Sequence, residues 1–280
     1  MKEKFLNYIS DLMCTTCKEI NWKIKDDRIE CNSCGNFYSI YENKLLCVDN
    51  YIKNKSWEVE GDGFEAFKGN SKPIYSLLSS IKIDKIGGPR IKDLREVLKV
   101  DGLSINLGSG QDDYDGFLNI DLGDYAPVDL VADLTNIPIA NNSVYLIASN
   151  SVLEHIYDYQ AVIDEAYRIL TKGGYFYLCV PCFEKRHHQY DYHRWTTAGL
   201  HRLLSDRFDI VEGGTCRGVA YSISNTVEAL MGYKIKSKVL LTFTRIIWRI
   251  ISRPLWWIQD DSSEEYQAMA NTIYVIAKKK

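Results

Sequence analysis

Neither sign of charge dominates this chain of 280 residues, in which 34 Lys and Arg stand against 37 Asp and Glu for a formal charge of -3. A polyphosphate partner would find no general attraction, so bulk nucleic-acid binding is not the expected role. Long apolar runs are missing as well. Nowhere do eighteen apolar residues follow one another, the length at which a membrane-spanning helix becomes a candidate. The opening MKEKFLNYIS has no apolar stretch of the kind that directs export, which predicts retention in a reducing cytoplasm. In that compartment paired cysteines hold metal more often than they form disulfides.

What the chain does have is 46% hydrophobic residues, enough for one sizeable core plus a small appendage that cannot build its own. The expected division is a zinc ribbon over 1–54, a helical connector over 55–100 and a catalytic domain over 101–280. Cys14, Cys17, Cys31 and Cys34 form two CxxC pairs separated by thirteen residues. Each CxxC can place two thiolates on one tight knuckle, and two knuckles a hairpin apart supply four soft ligands for a closed tetrahedral zinc site. Such a site stabilises folding and does no chemistry. Gly35 after the second knuckle fits a left-handed turn. Cys47 falls outside the pattern and is expected in the core. The segment from LMCTTCKEI to ECNSCGNFYSIYENKLLCV resembles the zinc ribbons associated with RNA and protein methyltransferases. Within the connector, GDGFEAFKGN is turn-rich, whereas RIKDLREVLKV puts Ile91, Leu94 and Leu98 on one helical face.

From Leu103 onward, short apolar runs alternate with helical patterns: LSINL, FLNID, VDLVAD, VYLIAS, YFYLCV, FDIVEG and TIYVIAK. They predict a seven-stranded, mostly parallel α/β sheet. The first run ends in Gly108-Ser109-Gly110, where missing side chains let a ligand approach the backbone. Asp121 ends the second, where a carboxylate can accept the hydroxyl hydrogens of a ribose. Only Ser109 to Gly116 join the two strands. Eight residues reach about 27 Å extended, against roughly 17 Å back along a strand and about 4.8 Å sideways, which leaves no room for the helix whose N-terminus holds a dinucleotide's pyrophosphate. Asp112, Asp113 and Asp115 would repel that group too. A phosphate-free, cationic sulfonium cofactor suits the loop better. The sheet face left bare by the absent helix is expected to be covered by residues 90–99.

INLGSGQDDYDGFLNIDL, VADLTNIPIANNSVYLIASNSVLEHI and RILTKGGYFYLCVP together resemble the ordered motifs of class I S-adenosylmethionine-dependent methyltransferases, a likeness spanning Leu103 to about Leu204 with a matching last strand. By that resemblance Gly108 and Gly110 flank the methionine part of S-adenosylmethionine and Asp121 holds its ribose. Asp133 and Leu134 would meet the adenine, and Asn150 would line the floor beneath the methyl group. Asn106 stands where many relatives carry an acid, and Asp112 replaces the usual third glycine. Asp121 and Asp133 also admit plain readings as a strand-end residue and a turn cap. Glu154 and His155 in LEHI read as packing or capping residues and are left out of the chemistry.

After the fifth strand, PCFEKRHHQYDYHRWTTAGL crowds His187, His188, Asp191 and His193 into seven residues at the carboxyl end of the sheet, the edge where α/β sites lie. Methyl transfer is an in-line displacement helped mainly by positioning, with a base needed when the acceptor is a hydroxyl. A neutral histidine suits that role. The same residues also admit readings as a solvated polar loop or a second metal site. DYHRWT resembles a stretch in methyltransferases encoded with cell-surface polysaccharide pathways, which implies a sugar or lipid-linked saccharide oxygen as acceptor. Nearby, Cys179 of the CVPC pair is expected to face the core.

The stretch 234–258, KIKSKVLLTFTRIIWRIISRPLWWI, carries six basic residues and no acidic one. Lys238, Thr242, Arg245, Arg249 and Ser252 fall in a narrow polar stripe opposite Leu240, Leu241, Phe243, Ile247, Trp248 and Ile251. A basic amphipathic helix of this kind can lie in a membrane interface, at the cytoplasmic face, or bury its apolar side as an active-site cap or dimer contact. Two other functions stay open: methylation of ribosomal or transfer RNA gripped by the ribbon, and a non-catalytic cofactor-binding scaffold. Acidic residues outnumber basic ones over 1–50, a poor footprint for RNA.

Overall fold

The structure, a computed structural model, describes residues 4–48, 87–257 and 264–280. The turn-rich stretch at 61–70 and the expected boundary between 54 and 55 lie outside the described residues. All seven predicted runs form strands: β5 (Ser104–Leu107), β6 (Leu118–Asp121), β7 (Leu130–Val131), β8 (Val144–Asn150), β9 (Leu170–Pro181), β10 (Phe208–Arg217) and β11 (Thr272–Lys279). They pair in the order β7-β6-β5-β8-β9-β11-β10. The five from β7 to β9 are parallel, whereas β11 is antiparallel to both its neighbours.

The seven-strand expectation needs correction, because among the described residues the sheet has eleven strands. The cysteine-bearing segment folds as an antiparallel meander of β1 (Trp22–Ile24), β2 (Arg28–Cys31), β3 (Phe37–Tyr41) and β4 (Lys44–Leu46). β4 then pairs in parallel with β7, Leu45 opposite Leu130. An exposed sheet edge is a row of unpaired N–H and C=O groups, and the meander covers the one that β7 would leave. Leu12 also bridges to Ile139, and Ala140 N donates to Asp11 O at 2.7 Å. Phe5, Leu12, Ile29, Tyr38 and Leu45 are buried in the same cluster as Ile105, Ile120 and Leu130. The amino-terminal strands therefore share the core of the catalytic sheet.

Side-chain alternation divides the core into two faces. Ile147, Phe176, Leu178, Val180, Ile273 and Val275 point to the first. That face is covered by α2 (Tyr159–Ile169), through Val162, Ile163 and Ala166, and by α3 (Thr197–Leu204), through Leu200 and Leu204. Asp158 caps α2 by accepting from Ala161 N. On the second face Leu146, Ala148, Tyr177, Cys179, Tyr274 and Ile276 meet Ile91 and Leu94, with Leu98 packed beside them. Residues 90–99 thus cover the face that lacks a helix, although as a 3-10 turn (Ile91–Asp93) leading into a single turn, α1 (Leu94–Val97). Arg95 fixes it there, donating to Gly102 O at 2.8 Å, Ser104 Oγ at 2.6 Å and Gly116 O at 3.2 Å. Cys179 is buried as expected, its sulfur 3.0 Å from that of Cys216.

Between β10 and β11 stand α4 (Val219–Lys234) and α5 (Lys238–Ile251). The polar stripe of α5 turns inward: Thr242, Arg249 and Ser252 are buried, and Arg249 makes two bonds to the buried Glu228 of α4, at 2.7 and 3.1 Å. Arg245 approaches the same carboxylate at 3.9 Å. Most of the apolar side faces out. Val239, Leu240, Phe243, Ile247, Ile250 and Ile251 are 54–67% exposed, and Trp257 is 87% exposed. No helix among the described residues is long and apolar enough to cross a membrane.

Candidate functional site

The glycine loop is built for close approach. Gly108 and Gly110 hold φ of 67° and 53°, a left-handed conformation that side chains disfavour. A β-carbon on Gly108 would lie 2.4 Å from Val152 Cγ2, whereas one on Gly110 would meet nothing within 4 Å. Space therefore opens beside Gly110. As expected from its length, the loop to β6 contains no helix. Asp121 closes it, accepting from Gly110 N at 2.8 Å with one carboxylate oxygen and from Gly123 N at 2.7 Å with the other. Burial pushes the Asp121 carboxyl up and these N–H groups pull it back.

The loop fits an S-adenosylmethionine tail on an independent ground. Ser109 and Ser149 hydroxyls, near the ends of β5 and β8, are buried without a protein partner, and buried polar atoms call for one. Asn150 ends β8 exposed and Leu134 is buried. Asp133 acts as a turn cap, its Oδ1 accepting from Thr135 N and Oγ1 at 2.8 Å each. Asn106 is buried and reaches Asn119 Oδ1 at 3.4 Å, so this side chain is engaged within the sheet.

The loop after β9 folds back over the turn that follows β8. Tyr192 N donates to Glu154 O at 2.7 Å, and His155 Nδ1 lies 2.7 Å from Tyr190 O. This brings His187 against His155, with their Nε2 atoms 3.2 Å apart, and places the His188 ring edge-on to His155 at 4.9 Å. Asp191 is buried beneath, bonded by Arg194 and by His187 N. Burial pushes its carboxyl up, but those donors outweigh it and hold it at about 2. His193 stands apart. Its Nε2 donates to Tyr157 O at 3.2 Å, and its ring packs on Tyr159 and Trp195.

Glu154, His155, Glu184 and Arg194 were not among the predicted site residues, yet they complete this cluster. Glu154 has a side chain with 0% exposure. Burial, with Glu184 and Asp191 nearby, pushes its carboxyl up to about 8. Burial likewise pulls the His155 imidazole down. The capping role read from LEHI is not observed, because the 3-10 turn Leu153–His155 ends at His155 and α2 begins only at Tyr159. A carboxylate and an imidazole directly after a strand's carboxyl end were the available signal, hidden by the apolar residues around them.

At the far edge the four thiols converge. Cys14 and Cys34 sulfurs are 3.6 Å apart, Cys17 and Cys31 3.5 Å, and all four lie within 4.8 Å of one another. Tetrahedral zinc with Zn–S bonds of about 2.3 Å requires sulfurs about 3.8 Å apart, so the set fits that ion. Gly35 takes the predicted left-handed turn, with φ of 78°, and Cys47 packs partly buried against the core.

Residues 113–178 match the family model described as a methyltransferase domain, about a quarter of the chain. No curated protein matches the sequence. Similar solved structures include the MccD protein, at 12% identity over 67% of this chain and 95% of that one with a TM-score of 0.43. The [4+2]-cyclase SpnF is similar at 15% identity over 74% and 92%, also at 0.43. Phosphoethanolamine N-methyltransferase 2 of Haemonchus contortus, in complex with S-adenosyl-L-methionine, is similar at 14% identity over 74% and 56%, at 0.41. With the matched domain following directly on a glycine loop that Asp121 closes, this chain is an S-adenosylmethionine-dependent methyltransferase.

Proposed function

We propose that the enzyme methylates an oxygen of a sugar, carried on a lipid, at the cytoplasmic face of a membrane. The observation that carries this reading is the outward apolar side of α5. Its Val, Leu, Ile and Phe side chains are exposed, exposed Lys234, Lys236, Lys238 and Arg253 stand at the two ends of the helix, and no acidic residue occurs over 234–258. An apolar face with cations at its ends matches an anionic lipid surface. The loop after β9 supports a sugar: Tyr157, Tyr190 and Tyr192 expose their rings beside the histidine cluster, offering apolar faces beside polar groups that can orient hydroxyls.

When bound, S-adenosylmethionine supplies a methyl group on a cationic sulfur. The chain's residues would hold an acceptor oxygen in line with that methyl group, so that a carbon–oxygen bond would replace the carbon–sulfur bond and the donor would be left as a neutral thioether. Gly108, Gly110 and Asp121 position the donor, and Asp133, Leu134 and Asn150 line its adenine and methyl ends. His187, His188, Asp191 and His193 orient the acceptor and provide an imidazole to take its proton, which then passes to water. We also propose that Cys14, Cys17, Cys31 and Cys34 hold a structural zinc ion, which ties the meander together where apolar area is scarce.

Cell extract supplied with methyl-labelled cofactor and separated into lipid, glycan, RNA and protein tests the assignment. Label in the lipid fraction, released by mild acid as a methylated sugar, is the expected result. Label in RNA alone would replace this reading by RNA methylation. Cofactor binding with no label in any fraction would leave a scaffold.

A further inference from the structure

Three side-chain atoms that can ligate a metal converge where the loop after β9 meets the turn after β8. His155 Nδ1 lies 2.7 Å from a carbonyl oxygen, Tyr190 O, which can only accept. The ring proton therefore sits on Nδ1 and the Nε2 lone pair faces inward. On His187 it is Nδ1 that faces carboxylates, Asp191 Oδ2 at 3.4 Å and Glu184 Oε2 at 4.0 Å, which favours the proton there and a second inward lone pair. The third atom is Glu154 Oε1, 3.8 Å from His155 Nε2 and 3.9 Å from His187 Nε2. Both Glu154 carboxylate oxygens are buried without a hydrogen-bond partner. The nearby Arg194 is engaged by Asp191 and by the carbonyls of Glu184, Lys185 and His193.

We infer that Glu154, His155 and His187 form a binding site for a divalent first-row metal ion, distinct from the four-cysteine cluster. The 3.2 Å between the two imidazole nitrogens lies within the roughly 3.0–3.5 Å between neighbouring ligands on an ion with bonds near 2.1 Å, and the 3.8 and 3.9 Å to Glu154 are slightly looser. His155 has the outer partner that a metal-bound histidine requires, a carbonyl, and the buried His187 Nδ1, which makes no hydrogen bond, has carboxylate oxygens within 3.4 and 4.0 Å. Two imidazoles and one carboxylate suit Zn²⁺, Co²⁺, Fe²⁺ or Mn²⁺ rather than the all-oxygen sites of Mg²⁺ and Ca²⁺. Three protein ligands leave coordination positions open. The Glu154 turn begins at Val152, whose methyl groups press on Gly108, so the ion lies close to the cofactor loop. There it can hold and acidify an acceptor hydroxyl, a role that rests on the oxygen-acceptor reading; metal binding itself does not.

The test uses the full chain as purified, its thiolate site filled with zinc, titrated with Co²⁺ and followed by visible absorption and metal analysis. One further cobalt equivalent is expected, with weak ligand-field bands and no thiolate-to-cobalt charge transfer. His155→Ala and His187→Ala should abolish it, and the isosteric Glu154→Gln should weaken it at least about tenfold, while zinc content and the calorimetric heat of S-adenosylmethionine binding persist. Failure of the wild-type protein to take a second equivalent overturns the site. So does uptake that survives Glu154→Gln and both histidine substitutions unchanged. The acceptor reading stands or falls separately, on the labelled cell fractions.

Discussion

At Gly108 two constraints coincide, a positive φ and a side chain of Val152 where a β-carbon would go. Gly108→Ala should therefore lower folding stability by about 2–4 kcal/mol and abolish cofactor binding. Gly110 separates the two effects, since its added methyl group would enter open space. Gly110→Ala should cost only about 1 kcal/mol of backbone strain yet still block the cofactor, to be read by thermal melting beside calorimetry. Loss of stability as large as that of Gly108→Ala would show that the space beside Gly110 is not a ligand's. Asp121 closes the loop through two backbone N–H groups, and by the expected ribose contact would also bind the cofactor. Asp121→Ala should weaken S-adenosylmethionine binding about tenfold to hundredfold; an unchanged dissociation constant would remove it from the site. The glycines and Asp121 were legible because they stand at the carboxyl ends of strands. Glu154 was not, because its significance depends on His187, thirty-three residues away in the chain, and only the loop after β9 brings the two together.

For α5 the element as a whole matters more than any residue in it. Its periodicity was plain in the sequence, but periodicity does not say which side meets protein. The structure turns the polar stripe inward because Glu228 of α4 offers Arg249 a buried, bidentate partner. Removing one member of such a pair leaves an uncompensated buried charge, so Glu228→Ala should destabilise by about 3–5 kcal/mol, read from chemical denaturation. The outward side predicts the opposite pattern. Phe243→Asp with Ile247→Asp should leave the melting temperature unchanged while abolishing sedimentation with anionic vesicles. Wild-type protein that stays in the supernatant, or a doubly substituted protein that still pellets, would refute the lipid surface; conversion of a dimer to a monomer by the same substitutions would assign the face to a second copy.

On the scale of the molecule, the amino-terminal meander and the catalytic sheet are one hydrogen-bonded structure with one shared core. Zinc removal should therefore destabilise the whole chain rather than free a tail. With Cys17→Ser, or with a chelator strong enough to extract zinc from four thiolates, we expect a single melting transition at lower temperature and weaker cofactor binding. An independent low-temperature transition that leaves the catalytic melt in place would show instead that the two parts fold separately.

The sequence by itself determined the seven runs of the catalytic sheet, the short helix-free loop and the cysteine array, because strand burial, loop length and ligand spacing are local properties. It also carried the covering role of Ile91, Leu94 and Leu98, since a bare sheet face needs an apolar partner. Only the tertiary structure decided the other points: that β4 extends the sheet to eleven strands, that α5 faces outward, and that Glu154 and His155 join the acceptor loop. These depend on edge pairing, on a buried ion pair and on contacts between segments distant in the chain, none of which has a period or spacing to read.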